Sequence, residues 1–294
     1  MKVFLKILFY ISFVFLFIYL YTKELLVIPD FRQPLWFIAS LMLVFIGFIL
    51  ESKAWQIIAK QDIPKVSYKD SFTSNGKYVL SKYIPGKVWI IVGKAGYLKE
   101  KYKRSVINLT SFSFYLQLIS LFAASIIGVF LVFYVDKNIF WGLVVLLIIF
   151  FAFFTVLHKP TLKIFSRILN YITKKEVRFP EAPTKISLRV FGISLANWIV
   201  WTLGFYLFLL SILPKDSVLL TMGVLFPVSS VIGIIVLIAP GGLGIREGFL
   251  VIGLTHMGIE TQEATAVAFI SRLWFLIGEG LFFGSSLMMD IKKR

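Results

Sequence analysis

The stretch that decides the fold is Pro240-Gly241-Gly242-Leu243-Gly244-Ile245-Arg246-Glu247-Gly248. It follows an apolar run, Val218–Ala239, that has the length and composition of a membrane-spanning helix. Pro240 removes a backbone donor, four glycines follow within eight residues, and an Arg-Glu pair precedes another apolar run. Broken backbone and charge are tolerated at membrane depth only where protein or a water-filled cavity surrounds them. We therefore expect a functional site at this position in a membrane protein.

The composition of the whole chain supports a membrane protein. Hydrophobic residues make up 59% of the sequence and the mean hydropathy is +0.88, whereas soluble domains are about 45–50% apolar. The sequence predicts an all-α, polytopic integral membrane protein with seven or eight transmembrane helices. Seven runs are long enough to span: Val3–Tyr21, Leu35–Ile58, Val106–Val135, Ile139–Leu157, Leu188–Leu213, Val218–Ala239 and Ala264–Met289.

The positive charge is concentrated in two connections. Twelve Lys or Arg lie between Ser52 and Ser105, and seven lie between His158 and Ser187. Cytoplasmic loops collect Lys and Arg, so we expect both loops and both termini on the cytoplasmic side of the cell membrane. Two inside termini need an even number of crossings. The short apolar piece Phe249–Met257 then completes a crossing, or the C-terminus is external.

A second broken segment lies in the first half of the chain. The apolar run Tyr78–Val92 is cut by Pro85-Gly86 and is too short on either side to cross a bilayer. It predicts a cytoplasmic re-entrant hairpin, or an interfacial element whose lysines reach the headgroups. Interrupted segments at corresponding places in two halves indicate a transporter binding site. The halves are 1–157 and 188–294, joined by a basic linker at 158–187.

The linker contains a predicted amphipathic helix at Pro160–Phe179. Its apolar residues recur at helical spacing, with lysines and arginines elsewhere. This pattern is typical of a helix that lies on an anionic leaflet, or of a solvated helix that joins the two halves.

The two broken segments carry a recognisable pair of motifs. Lys82-Tyr83-Ile84-Pro85-Gly86-Lys87-Val88-Trp89 and Pro240-Gly241-Gly242-Leu243-Gly244, with Glu247 after it, resemble the lysylphosphatidylglycerol synthase transmembrane-region family. That family includes the flippase half of the multiple peptide resistance factor. The resemblance implies a polytopic lipid translocase with paired re-entrant elements. Because the chain stops at Arg294, with no room for a soluble aminoacyl-transferase domain, it implies no lipid aminoacylation.

Further charges lie in the last predicted span. Arg272 and Glu279 share one helix face and are about 10 Å apart along its axis, which is too far for direct pairing. Arg246 and Glu247 are then the available partners. The four charges line a polar path, or they form structural ion pairs. Gly280 and Gly284 are expected to allow close helix approach.

These observations favour movement of an anionic phospholipid or lipid-linked headgroup between leaflets. Phosphate prefers helix N-termini and Lys or Arg donors, and both breaks supply them. The predicted substrate-binding residues are Lys82, Lys87, Arg246, Glu247, Arg272 and Glu279. Among them, Glu247 and Glu279 are expected to position the arginines or to carry a coupled proton. The predicted structural elbows are Pro85, Gly86, Pro240, Gly241, Gly242 and Gly244.

Other classes of function fit less well. The sequence has no cysteine, two distant histidines and no P-loop motif, so we expect no catalytic residue, metal or cofactor. The expected partners are membrane lipids rather than nucleic acid, and a homo-oligomer or a partner enzyme that modifies lipids or glycans is left open. The alternatives are a membrane-embedded transferase that acts on polyprenyl or phospholipid substrates, and an accessory protein to such an enzyme.

Overall fold

The computed structural model describes residues 32–83, 89–136, 159–173, 179–180, 183–235 and 244–291. Within these ranges the chain forms nine α-helices and three short 3-10 helices, and no strand. The α-helices are α1 (Pro34–Ala59), α2 (Tyr68–Tyr78), α3 (Trp89–Tyr102), α4 (Val106–Asp136), α5 (Lys159–Thr173), α6 (Thr184–Ile212), α7 (Leu225–Ile235), α8 (Ile245–His256) and α9 (Thr261–Ile291). The 3-10 helices are Val79–Tyr83, Lys215–Ser217 and Leu220–Val224.

Four helices of the described chain are long and apolar enough to cross a membrane. They are α1, α6, α9 and the Val106–Val129 part of α4. Each coincides with a span that the sequence predicts, so the all-helical membrane architecture is confirmed. The predicted spans Val3–Tyr21 and Ile139–Leu157 lie outside the described residues. The total of seven or eight crossings therefore stays a prediction.

The predicted span Val218–Ala239 has a different form. The structure divides it into the 3-10 helix Leu220–Val224 and the short helix α7, and residues 236–239 lie outside the described part. At Gly223 an added Cβ would lie 2.7 Å from the Thr202 carbonyl oxygen, so the 3-10 segment presses directly against α6. Pro227 lies in the first turn of α7. Backbone N–H groups in a first turn have no acceptor within the helix, so a proline there removes no helical hydrogen bond. Apolar composition alone predicts length but does not reveal this break.

Helices from the two halves of the chain share one core. The Gln33 N–H, just before α1, donates to the Ser211 carbonyl near the end of α6 at 3.2 Å, so the two helices run antiparallel. Farther along, Trp201 Nε1 donates to the Val44 carbonyl at 3.0 Å. Phe48 of α1 stacks on Phe282 of α9 with ring centroids 4.6 Å apart. The two predicted halves are thus interleaved, because α1 packs between α6 and α9.

The glycines of α9 that allow close packing differ from those predicted. A Cβ at Gly280 or Gly284 would meet no described atom within 4 Å, so neither glycine lies at a close contact between described helices. At Gly278 a Cβ would lie 2.4 Å from Val44 Cγ1. Gly76 of α2 has the same role, since its Cβ would lie 2.5 Å from Ser286 Cβ. A glycine of α9 therefore allows the close contact with α1, and a glycine of α2 allows the close contact with α9.

The ends of the helices next to the two basic loops lie together. A second hydrophobic cluster joins the end of α1, α3, the start of α4 and the start of α6, and contains Trp55, Leu98, Leu109 and Val190. Across it, the hydroxyls of Tyr115 and Ser187 are 3.0 Å apart. Both basic connections therefore leave the bundle at one end. The side of the membrane to which this end belongs stays a prediction.

The linker region contains the predicted helix, α5. Its Leu162 packs against the second hydrophobic cluster, and Lys163 and Arg167 are exposed. Ile164 and Ile168 are 55% and 50% exposed. The helical prediction is confirmed for Lys159–Thr173, and its contact with a lipid surface stays a prediction.

Candidate functional site

Both broken segments flank the site. The elbow residues Pro85, Gly86, Pro240, Gly241 and Gly242, together with Lys87, lie outside the described residues. The flanks of the first break lie close together, since a Cβ at Gly93 in α3 would lie 2.2 Å from the Tyr78 ring at the end of α2. The end of α2 and the start of α3 are therefore in contact, and the re-entrant hairpin between them stays a prediction.

Gly244 and Glu247 together start α8. Gly244 has φ +82°, a backbone conformation that side chains with a Cβ rarely adopt. Its N–H donates to Glu247 Oε2 at 2.7 Å, which supplies an acceptor to the otherwise unpaired helix N-terminus. Glu247 is only 4% exposed. The glycine therefore has the conformational role expected of an elbow, and the acid fixes the helix start.

The same Glu247 carboxylate binds Arg272. Arg272 Nε donates to Glu247 Oε1 at 2.7 Å, and Nη2 lies 2.5 Å from the same oxygen. Both side chains are buried, so little solvent screens the pair. This contact was expected from the sequence. It links the start of α8 to the middle of α9.

Glu279 is paired differently from the prediction. Its carboxylate is fully buried and forms an ion pair with Lys82, which also lies 4.9 Å from the Phe275 ring centroid. Tyr83 Oη donates to Glu279 Oε2 at 2.9 Å. Glu279 therefore contacts Lys82 and Tyr83, next to the first break, and not the partner that was expected on α8. Tyr83 was missed as a site residue, although it lies inside the quoted motif next to Lys82.

Arg246 has aromatic neighbours instead of a carboxylate. Its guanidinium carbon lies 4.7 Å from the Phe226 ring centroid and 5.9 Å from that of Phe275. Its Nε and Nη2 atoms are buried and have no hydrogen-bond partner among the described residues. Cation–π contacts stabilise the positive charge of the guanidinium. They do not use its N–H donors, which lie in the guanidinium plane. Arg246 thus presents a cation with unused donors.

A cavity of about 350 Å³ joins these groups. Lys82, Tyr83, Arg246 and Arg272 line one part of it, together with Phe226 and Phe275. Its other polar lining residues are Glu51, Lys94, Gln117, Ser120, Ser194, Asn197 and Ser230. Sequence reasoning missed this second group, because single polar residues in apolar helices give no motif.

Lys94 is the clearest omission of the sequence prediction. It is 4% exposed, and its ammonium lies 5.0 Å from the Trp55 ring centroid. The signal was its position in the run Trp89-Ile90-Ile91-Val92-Gly93-Lys94-Ala95, where one lysine interrupts an apolar sequence.

A second ion cluster marks the depth of the site. Lys77 Nζ lies 2.5 Å from Asp290 Oδ2, and Tyr97 Oη donates to Asp290 Oδ1 at 2.9 Å. Burial and this hydrogen bond raise the pKa of Tyr97 above its usual range, so its hydroxyl is a protonated donor at neutral pH. Asp290 follows Glu279 by roughly 16 Å along α9 at the usual rise per residue. About three turns of α9 therefore separate this cluster from Glu279.

The described residues contain no group of three or more His, Cys, Asp and Glu side chains that could hold a metal ion. Around Arg246 the site consists of three cations, Lys82, Arg246 and Arg272, with two acids paired to Lys82 and Arg272, and aromatic rings. Such a set suits electrostatic recognition of an anion.

Comparison with known proteins identifies the family. No curated protein and no solved structure matches the chain. A family model described as Lysylphosphatidylglycerol synthase TM region matches residues 3–278. The match includes both breaks and reaches to one residue before Glu279. The chain, with its apolar helices and its two interrupted segments, belongs to the lysylphosphatidylglycerol synthase transmembrane-region family.

Proposed function

We propose that this membrane protein is a lipid translocase, which moves an anionic phospholipid or lipid-linked headgroup between the two leaflets. The observation that carries the proposal is Arg246. Its buried Nε and Nη2 lack a hydrogen-bond partner among the described residues, and its side chain lines the cavity beside Lys82 and Arg272. A buried donor without a partner is costly, and a phosphate oxygen is a strong acceptor for a guanidinium.

The paired acids explain why only part of the positive charge is available. Glu247 holds Arg272, and Glu279 holds Lys82. These pairs keep two cations at the cavity wall at a tolerable cost in a medium of low polarity. An arriving phosphate binds Arg246 first and then competes with the carboxylates for the other two cations. Reversal of these exchanges releases the headgroup, so binding is strong enough for entry and weak enough for exit.

The breaks in the backbone give the headgroup a place to cross. The acyl chains stay in lipid while the headgroup passes through the cavity between the two interrupted segments. Lys87 and the elbows at 85–86 and 240–242 extend this path in the proposal. The basic end of the bundle is proposed to face the cytoplasm.

Purified protein in liposomes tests the proposal. The vesicles contain phosphatidylglycerol with a nitrobenzoxadiazole label on one acyl chain, and dithionite destroys label in the outer leaflet. Translocation makes the inner-leaflet label accessible as well. We expect loss of label from both leaflets with the wild type, and a rate lowered about tenfold or more in Arg246→Gln, since a charged hydrogen bond is lost.

An exposed arginine provides the matched control. Arg189 of α6 is exposed and is not among the cavity-lining residues, so Arg189→Gln should retain the wild-type rate. Retention of all inner-leaflet label by the wild type would overturn the translocase. Recovery of a covalently altered lipid from the vesicles would favour the transferase instead.

A further inference from the structure

The cavity has a second wall that the phosphate does not need. Lys82, Arg246 and Arg272 come from the first break, α8 and α9. The second wall comes from four other helices: Glu51 is on α1, Lys94 on α3, Gln117 on α4 and Asn197 on α6. Lys82 and Arg272 are paired with Glu279 and Glu247, whereas the Lys94 ammonium lies 5.0 Å from the Trp55 ring centroid. The cavity therefore contains two separate polar groups.

Asn197 supplies the second wall with an unpaired hydrogen-bond acceptor. Its side chain lines the cavity and is only 2% exposed, and its Oδ1 atom has no hydrogen-bond partner among the described residues. Buried polar atoms are nearly always paired. An unpaired acceptor at a cavity wall is therefore a place where a donor from a bound molecule fits.

The chemistry of this wall selects hydroxyl groups. The Glu51 carboxylate only accepts hydrogen bonds, the Lys94 ammonium only donates, and the amides of Gln117 and Asn197 do both. A second phosphate has acceptors alone and would be repelled by Glu51. A hydroxyl group donates and accepts, so a ring that bears several of them can satisfy every member of this set. The charges of Glu51 and Lys94 balance, which suits an uncharged group.

The aromatic lining completes the argument. Trp198 and Trp201 of α6 line the same cavity, and Trp198 Nε1 donates to Ser120 Oγ at 2.9 Å, so its polar edge is already satisfied. Pockets that combine aromatic surfaces with a few placed polar groups bind compact ligands in one orientation.

We infer that the wall formed by Glu51, Lys94, Gln117 and Asn197 binds an uncharged polyhydroxylated ring. The substrate is then a lipid phosphodiester, whose phosphate lies at Arg246 and whose sugar or cyclitol ring lies at this wall. This inference rests on the proposed function and narrows its substrate class.

Two lipids of equal charge test the inference. Phosphatidylinositol and phosphatidylmethanol each carry one phosphodiester charge, but only the first has a hydroxylated ring. Both receive the same acyl-chain nitrobenzoxadiazole label, and their translocation in phosphatidylcholine liposomes is followed with dithionite. We expect phosphatidylinositol to move about tenfold faster or more, because a site built for hydroxyl groups discriminates against an analogue that lacks them.

The ratio of the two rates is the readout for variants, since a misfolded variant loses both. Asn197→Leu and Glu51→Gln should bring the ratio close to one. Thr202→Val is the matched control. Thr202 is also a buried residue of α6 whose Oγ1 has no partner among the described residues, but it is not among the cavity-lining residues. Its variant should keep the preference for the ring.

The outcomes separate this inference from the proposed function. Equal rates for the two lipids in the wild type would overturn the inference and leave the translocase standing. If neither lipid moves, the translocase is overturned, and direct binding decides the inference. Inositol 1-phosphate should then bind the detergent-solubilised protein more tightly than methyl phosphate, in calorimetry, with the preference lost in Asn197→Leu. Equal binding of the two phosphates would overturn it.

Discussion

Glu247 and Glu279 each hold a cation from a different part of the chain. Glu247 binds Arg272 across the α8–α9 contact, and Glu279 binds Lys82 from the first break. Arg246 is left to the rings of Phe226 and Phe275. At the scale of single residues, the two acids therefore act as counter-ions that hold the site in shape, while Arg246 keeps donors for a ligand.

The Glu247–Arg272 pair should be important for folding. In Arg272→Ala a buried carboxylate loses its cation, which commonly costs about 3–5 kcal/mol. We expect a large fall in the amount of folded protein in the membrane, measured by fluorescence-detected size-exclusion chromatography. The double variant Arg272→Ala with Glu247→Gln removes both charges and should recover much of that amount.

Translocation separates the two roles of Arg272. If the double variant regains folded protein but remains slow with labelled phosphatidylglycerol, Arg272 contacts the headgroup. Full recovery of the transport rate would assign Arg272 a packing role alone.

Gly244 should tolerate a side chain poorly for reasons of backbone geometry. An added Cβ meets no described atom within 4 Å, so crowding is not the cause, but the residue has φ +82°. Gly244→Ala should cost about 1–3 kcal/mol, the range for a strained backbone conformation. Thermal unfolding monitored with a thiol-independent dye would measure the shift. Gly248→Ala is the control, since Gly248 lies inside α8, has open space and has no positive φ. An unchanged midpoint in Gly244→Ala would contradict this account.

At the scale of helices, glycine contacts determine which elements lie against each other. A Cβ at Gly47 of α1 would lie 2.0 Å from Trp201 Nε1, and one at Gly278 of α9 would lie 2.4 Å from Val44 Cγ1. These glycines bring α1 close to α6 and α9. The indole of Trp201 is then near enough to bind the Val44 carbonyl. The position of α1 matters for the site, because it contributes Glu51 to the cavity wall.

A pair of alanine substitutions tests this packing. Gly47→Ala forces a methyl group into Trp201 and should destabilise the protein by about 1–3 kcal/mol, as overpacked cores do. Gly192→Ala in α6 meets no described atom within 4 Å and should be neutral or slightly stabilising, since alanine favours a helix over glycine by about 1 kcal/mol. Thermal unfolding of the two variants in the same detergent gives the comparison. Equal unfolding midpoints for the two variants would show that Gly47 does not lie against Trp201, and would contradict the close packing of α1 on α6.

At the scale of the whole molecule, the charge distribution and the packing agree. The second hydrophobic cluster brings the end of α1 and the starts of α4 and α6 to one end of the bundle, beside both basic connections. The contact between Gln33 and Ser211 lies at the opposite end. Within the described residues, the end beside the basic connections is therefore rich in lysine and arginine.

Cysteine labelling tests the orientation of the two ends. The natural chain has no cysteine, so single cysteines are unambiguous probes. Arg104 and Asp216 are both exposed and lie in connections at the basic end and the opposite end. In intact cells an impermeant maleimide should modify Asp216→Cys but not Arg104→Cys, because the basic end is expected to face the cytoplasm. Both should react after permeabilisation. Modification of Arg104→Cys alone in intact cells would reverse the proposed orientation.

Local properties of the sequence predict the helical membrane architecture and the segments proposed to carry the chemistry. The predicted spans Leu35–Ile58 and Leu188–Leu213 correspond to α1 and α6, because apolar length and composition are local properties of the chain. Arg246, Glu247, Arg272 and Glu279 are predicted as site residues because charge inside apolar runs is costly. The partner of Arg272 also followed, since few candidates were available.

Only the tertiary structure decided the remaining arrangement. Lys82 comes from the first half of the chain to meet Glu279 in the second, and Lys94 and Asn197 reach the cavity although neither belongs to a motif. The apolar run after Val218 contains a 3-10 turn, because Gly223 presses against Thr202 of another helix. These features depend on which helix faces meet in space. Hydrophobic composition predicts that a helix is buried in protein or membrane. The distances between the faces of neighbouring helices arise from the packing of residues far apart in sequence.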